Sequence, residues 1–362
     1  MTDIRILAIN PGSTSTKFAV YFGSECKLKK TLRHSIEELS LYDNIIDQFE
    51  FRKGLIIDSL VEEGFDVDKI KYIIGRGGLT YPLKSGVYLV NNQMLEHARA
   101  GIYGQHASNL GPLIADYIAL QIPGAHAYVA DPVVVDELDE IARFSGHPEF
   151  ERRSIFHALN QKATARIHAK KTDRIYENLN LIVVHLGGGI SVGAHQKGKV
   201  IDVNNALDGE GPFSPERSGT LPAGQLIDLC FSHKYEKDEI RRMVIGEGGY
   251  VAYLKTNDSR EVEERAKAGD ELARKVQDAL GYQVAKAIGE MATVLNGIVD
   301  AILLTGGLAY NQYLTQYITS KVEFIASVYV YPGEDELEAL ASNALRVATG
   351  EIEPLEYTNG VK

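Results

Sequence analysis

Two stretches of this chain repeat one pattern, ILAINPGSTSTKFAV at residues 6–20 and LIVVHLGGGISVGAHQKGKVIDV at 181–203. Each is an apolar strand, a tight turn of glycine or small polar residues, and a second, alternating strand. Setting Asn10 against His185 gives an internal offset of about 175 residues, too long for a solenoid repeat and right for a duplicated domain. An α/β chain of two similar halves is therefore expected.

The intervening segments support that reading. Strands are expected at 4–10, 16–22, 29–35, 70–74, 127–130, 301–305 and 328–331. Helices are expected at 41–64, 108–122, 155–171, 223–232, 238–245, 269–296, from 310, and at 335–349. Arg76 and Asp131 fall just past the C-terminal ends of strands, where open α/β sheets place ligand sites. Residues 136–153 turn charged and rich in Gly and Pro, the best candidate for a domain boundary. Strands ending in glycine or acidic residues in both halves indicate two α/β domains facing one cleft.

The chain has 362 residues, enough for about two domains with sizeable cores. Its net charge of -11 disfavours nucleic acid and anionic membranes, so any anion must meet a local positive site. Cys26 and Cys230 lack disulfide or zinc spacing and read as reduced, packing thiols. Asp3 and a short apolar run argue against a signal peptide, and no window reaches membrane-helix length, so a soluble cytoplasmic protein is expected.

Residues 12–17, GSTSTK, offer backbone N–H groups, hydroxyls and an ammonium, the materials of a phosphate-cradling turn. The same residues also make an ordinary solvated hairpin turn. They are not a Walker A loop, because a strand follows the lysine and the second glycine is missing. Gly187-Gly188-Gly189 with Gly193 is likewise followed by a strand, which removes the helix N-terminus a dinucleotide fold requires.

The pairing of these turns, with Gly306-Gly307 after a third apolar strand, is similar to the plan of the acetate and sugar kinase, chaperone ATPase and actin superfamily. A closer resemblance rests on AINPGSTSTK at 8–17, GRGG at 75–78, GQHASNLGPL at 104–113, DPVVVDEL at 131–138, IFHALNQKATAR at 155–166, HLGGGISVGAH at 185–195, ERSGTLP at 216–222 and LLTGGLA at 303–309. Together they resemble the short-chain carboxylic acid kinases, the acetate kinase family, and most nearly its butyrate kinase branch. Acetate kinases usually carry asparagine where this chain has Gly188, and tend to be longer.

The resemblance implies two ribonuclease H-like, actin-like ATPase domains with a cleft between them, at 1–135 plus 335–362 and at 136–334. It implies Mg²⁺-dependent transfer of the ATP γ-phosphoryl group to a short-chain carboxylate, giving acyl phosphate and ADP. An acetate or propionate kinase is the alternative within enzymes; a non-catalytic actin-like ATP-binding module is the alternative of another class. No general base is needed, because a carboxylate is already ionised at neutral pH. Alignment and charge neutralisation carry the rate instead.

By resemblance Arg76 orients the acyl substrate, while Arg217 and His157, expected in a helix's first turn, stabilise the transferring group. Asp131 is either a turn residue or one that positions the Mg²⁺ shell or the arginines. Ser13, Ser15 and Lys17 on one side, and His185 with Gly187 to Gly189 on the other, are assigned to phosphates. Asn10 is one metal candidate; Asp335 or Glu336 is the other, the register between them open. Asp258, Arg260, Gly306, Gly307 and Asn311 are assigned to the nucleotide. The resemblance implies dimers or multiples of dimers, and the apolar stripe of the helix at 269–296 reads as either a domain-core or an inter-subunit face.

Overall fold

A computed structural model describes residues 4–358; Asp3, cited above against a signal peptide, lies outside them. In chain order the strands are β1 (Arg5–Pro11), β2 (Ser15–Phe22), β3 (Glu25–Arg33), β4 (Tyr72–Arg76), β5 (Val87–Leu89), β6 (His126–Ala130), β7 (Asn180–Leu186), β8 (Ile190–Gln196), β9 (Lys199–Val203), β10 (Ala301–Gly306), β11 (Val328–Pro332) and β12 (Leu355–Glu356). They form a seven-stranded sheet ordered β12-β5-β6-β4-β1-β2-β3 and a five-stranded sheet ordered β11-β10-β7-β8-β9. The chain separates into two compact units, one up to Val135 and again from Asp335, the other Asp136–Glu334.

Both sheets share a topology. In the first unit, β1, β2 and β3 run as an antiparallel meander, β4 lies parallel to β1, and β6 parallel to β4. In the second, β7, β8 and β9 form the meander, β10 lies parallel to β7, and β11 parallel to β10. Asn10 and His185 each occupy the penultimate position of a seven-residue strand. The duplication read from the sequence is thus a duplication of connectivity.

Central strands are apolar at consecutive positions because both of their faces are covered. Leu7 and Ile9 of β1 join a core with Ile56 and Leu60 of the helix Phe49–Glu62 and Leu110 and Ile114 of the helix Leu110–Leu120. The intervening Ile6 and Ala8 are equally buried. In the second unit, Val276, Leu280, Val284 and Ile288 of the helix Glu271–Val294 pack with Ile182 and Val184 of β7. The apolar stripe of that long helix is therefore spent on its own core.

Several boundaries move for physical reasons. The helix expected at 41–64 begins at Phe49, after a 3-10 turn Ile45–Gln48 whose N-cap Asn44 has extended backbone. β5, β12 and the helix Asn92–Ala100 escaped the reading, the strands because two or three residues carry no readable period. Both cysteines are exposed, which overturns a packing role: Cys26 lies on edge strand β3, and Cys230 ends a helix that buries none of its residues. No helix among the described residues is long and apolar enough to cross a membrane.

Candidate active site

In the first unit the turn between β1 and β2 is built from below. Arg52, wholly buried on the helix Phe49–Glu62, donates through Nη1 to the Gly12 carbonyl at 2.7 Å, the Ser15 carbonyl at 3.1 Å and Thr16 Oγ1 at 3.1 Å. Its Nη2 donates to the Ser13 carbonyl at 3.1 Å, and Gln48 Oε1 accepts from Nε and Nη2. No carboxylate pairs with this guanidinium among the described residues, and burial pushes its pKa down. A buried cation thus sits under the turn, whose Ser13 and Lys17 are exposed. Lys17 lies directly opposite Asn10 across the β1–β2 ladder, which puts their side chains on one face.

At the other end of that ladder pair, Asn10 Nδ2 donates to Glu336 Oε2 at 2.5 Å, and Arg76 Nη2 lies 3.0 Å from Glu336 Oε1. Asn10 Oδ1 is buried without a partner among the described residues. Arg76 is the last residue of β4, held there because Gly75 has no Cβ to strike the Gly111 backbone of the helix Leu110–Leu120. The two acidic candidates sit differently: Glu336 opens the helix Glu336–Ala348 and meets Asn10, whereas Asp335 caps that helix through Glu338 N and pairs with Lys29.

Asp131 follows β6 with φ 38°, in the left-handed region that Asp enters more readily than most residues. Its Oδ1 accepts from Ser85 Oγ at 2.6 Å and Gly86 N at 2.9 Å. The carboxylate thereby fixes the 85–86 backbone, more than a simple turn residue would.

The metal-binding expectation fits these residues. Mg²⁺ takes hard oxygen ligands, keeps several waters and needs one or two protein groups. The orphaned Asn10 Oδ1 and the Glu336 carboxylate are two hard oxygen groups of the kind that would fit it. No cluster of three or more His, Cys, Asp or Glu suited to a metal occurs among the described residues.

In the second unit, His157 stands at the N-cap of the helix Ala158–Lys171 rather than in its first turn, with φ -81° and ψ 60°. The non-helical backbone turns it out of the helix register. Its ring stacks on His185, with centroids 3.7 Å apart and planes 14° from parallel. His185 is buried at the end of β7, its Nδ1 2.7 Å from Asn160 Oδ1 and its Nε2 3.3 Å from Glu334 Oε2.

The glycine run follows directly. Gly187 N donates to Gly189 O at 3.1 Å, and Ser214 Oγ donates to Gly188 O at 2.5 Å. A Cβ at Gly189 would run into the Arg217 guanidinium, so glycine there lets the arginine lie over the turn. Arg217 Nη1 also donates to the Ala206 carbonyl, and burial lowers its pKa against the opposing charge of Glu216.

The remaining predicted residues have clear local tasks. Gly306, at φ 91°, ends β10 against the Leu186 backbone, and Gly307 begins a 3-10 turn. Asn311 caps the helix Gln312–Val322 by accepting from Leu314 N at 3.0 Å. Asp258 caps the helix Ser259–Lys267 and pairs with Arg260 at 3.2 Å on an exposed surface. Arg52, Ser191 and Gln161 were missed from the sequence, although Arg52 interrupts the apolar stripe of its helix and that signal was available.

The curated proteins include close relatives over the whole length. Butyrate kinase 2 of Clostridium acetobutylicum is 56% identical across 98% of this chain and 99% of its own. Residues 149–329 match the Acetokinase family. The chain belongs to the acetokinase family. Butyrate kinase 1 of the same organism is 54% identical across 98% of this chain and 99% of its own. Solved structures carry the family's fold: acetate kinase of Porphyromonas gingivalis superposes with TM-score 0.77 at 18% identity, covering 95% of this chain and all of that one. A propionate kinase of Francisella tularensis gives TM-score 0.74 at 22% identity, covering 93% and 98%. The fold is the duplicated, actin-like ATPase plan expected from the sequence.

Proposed function

We propose that this acetokinase-family chain is a butyrate kinase, moving the γ-phosphoryl group of ATP to a short-chain carboxylate and releasing acyl phosphate and ADP. The observation that carries the reading is the full-length identity, above half, to relatives named butyrate kinases. The residue geometry supplies roles for the chemistry.

Both reactants are anions, so the barrier is one of charge and alignment. Arg76 presents a planar fork for the substrate carboxylate, and its guanidinium is oriented by Glu336. Arg217 and His157 donate to the transferring phosphoryl oxygens. Ser13, Ser15 and Lys17 of the first unit, and His185 with Gly187 to Gly189 of the second, are assigned to phosphates, and Asp258, Arg260, Gly306, Gly307 and Asn311 to the nucleoside. Asp131 positions the loop at 85–86 rather than acting as a base, since an ionised carboxylate is already the nucleophile. Mg²⁺ would be held by Asn10 Oδ1 and Glu336 and would neutralise the β- and γ-phosphate oxygens.

The two compact units serve as the two actin-like domains, and the reaction suits a cytoplasmic location. A homodimer, or a multiple of dimers, is favoured by the helix Ala223–Cys230, which buries none of its residues and leaves Ile227 and the following Phe231 exposed. The stripe of the long helix at 271–294 faces its own core, the domain-core reading of the two that the sequence allowed. Measuring kcat/KM across straight and branched acids tests the substrate: an optimum at four carbons is expected, and acetate as the clear optimum would overturn it.

A further inference from the structure

A buried line of hydrogen bonds runs through the second unit behind His157. Tyr176 Oη lies 2.7 Å from His195 Nδ1, and His195 Nε2 lies 2.9 Å from Gln161 Oε1. Gln161 Nε2 donates to Ser191 Oγ at 2.8 Å and to the Ser191 carbonyl at 3.1 Å. Ser191 Oγ then lies 2.9 Å from His157 Nδ1. Gln161, Ser191 and His195 are wholly buried.

Proton counting gives this line one direction. The Ser191 carbonyl can only accept, so the amide nitrogen of Gln161 must face it and Oε1 must face His195. His195 therefore carries its proton on Nε2, and its Nδ1 accepts from the Tyr176 hydroxyl. Burial beside the positive charges of Lys162 and Arg166 drives the His195 pKa well down, which keeps that ring neutral with a single proton. At the other end, Ser191 Oγ accepts from Gln161 and keeps a proton of its own, and a line running in one direction sends that proton to His157 Nδ1. With that direction His157 would keep its proton on Nε2.

We propose that Ser191, Gln161, His195 and Tyr176 are positioning residues that lock His157 as the Nε2–H tautomer, holding its Nε2 as a donor toward the phosphoryl group. The proposal rests on the role given to His157 above. The fold makes room for the line: Gln161 sits four residues after His157 on the helix Ala158–Lys171, and Ser191 and His195 share one face of β8. Between them stands Gly193, where a Cβ would strike Gln161 Oε1. Alanine at that position would push the amide out of line.

The test pairs spectroscopy with kinetics. In wild-type protein labelled with ¹⁵N-histidine, the His157 ring, assigned by its loss in His157→Gln, should show a pure Nε2–H pattern at neutral pH. Ser191→Ala should shift it toward a mixture of tautomers and lower kcat by roughly tenfold, with KM for ATP changed less than threefold. A wild-type ring protonated on Nδ1 overturns the proposal even if every variant fails to fold. So does a folded Ser191→Ala protein whose His157 pattern and kcat both match wild type. Failure of the butyrate kinase reading would appear separately, as wild-type protein that makes no acyl phosphate whatever the ring's tautomer.

Discussion

Asn10 Nδ2 donates to Glu336 Oε2, joining the end of β1 to the first residue of a helix 326 positions later in the chain. The bond fixes which face of the Asn10 amide is left over. Its Oδ1 is buried and unpartnered among the described residues, which is what the metal role proposed above requires. The neighbouring Asp335, identical in charge, is committed to a helix cap and to Lys29.

This difference predicts opposite outcomes at adjacent residues. Glu336→Gln should lower kcat about 100-fold and raise the Mg²⁺ concentration needed for half-maximal rate, because a charged ligand and the Arg76 anchor go together. Asp335→Ala should cost only about 1 kcal/mol of stability through the lost cap and leave kcat within threefold. Mg²⁺ titrations of both variants check the pair, and equal effects would place the metal ligand elsewhere.

Arg52 is predicted to act on the turn from inside. Arg52→Met takes the guanidinium away from the Gly12, Ser13 and Ser15 carbonyls, the last of which keeps the Gly12 N–H, and should destabilise the protein by ~2–4 kcal/mol. It should also raise KM for ATP at least fivefold, since a buried positive charge beneath the phosphate turn disappears. Thermal melts with ATP kinetics report both; a destabilised variant with unchanged KM would reduce Arg52 to a structural part.

Arg217→Ala should reduce kcat by about 1,000-fold while far-UV circular dichroism stays native, because its donor is needed where charge spreads in the transition state. A rate near wild type would remove Arg217 from the mechanism.

Mild acid should weaken the fold through its buried neutral histidines. Burial lowers the folded-state pKa of His34, His168 and His195 below the ordinary histidine value. Between those lowered values and about pH 6.5 the unfolded chain binds more protons, so stability is fully present above that range and falls as pH falls through it. Each group contributes at most ~1.4 kcal/mol per pH unit. The melting temperature should decline from pH 7.5 to pH 5.5, and less steeply in His34→Gln; a rise on acidification would contradict the sign.

Much of the fold was legible because it is written in local periods. The strand, turn and strand of residues 5–22 and of 180–196 announce themselves through apolar runs and small turn residues, and their likeness reveals the duplication. What the site adds is long-range. Nothing near Glu336 distinguishes it from Asp335 until β1 brings Asn10 alongside. His157 looked helical because its neighbours are, yet the cap position frees its backbone to aim the ring at Ser191. The buried polar line to Tyr176 left a faint trace, polar residues four apart on a buried helix face and on one face of β8, that only the packed structure turns into contacts.

The most direct measurement traps acyl phosphate as its hydroxamate while counting ADP, with butyrate, ATP and Mg²⁺ present. Butyryl hydroxamate should form in equal amount to ADP and vanish when butyrate or Mg²⁺ is omitted. ADP released without hydroxamate, or no product with any short-chain acid, would contradict the account.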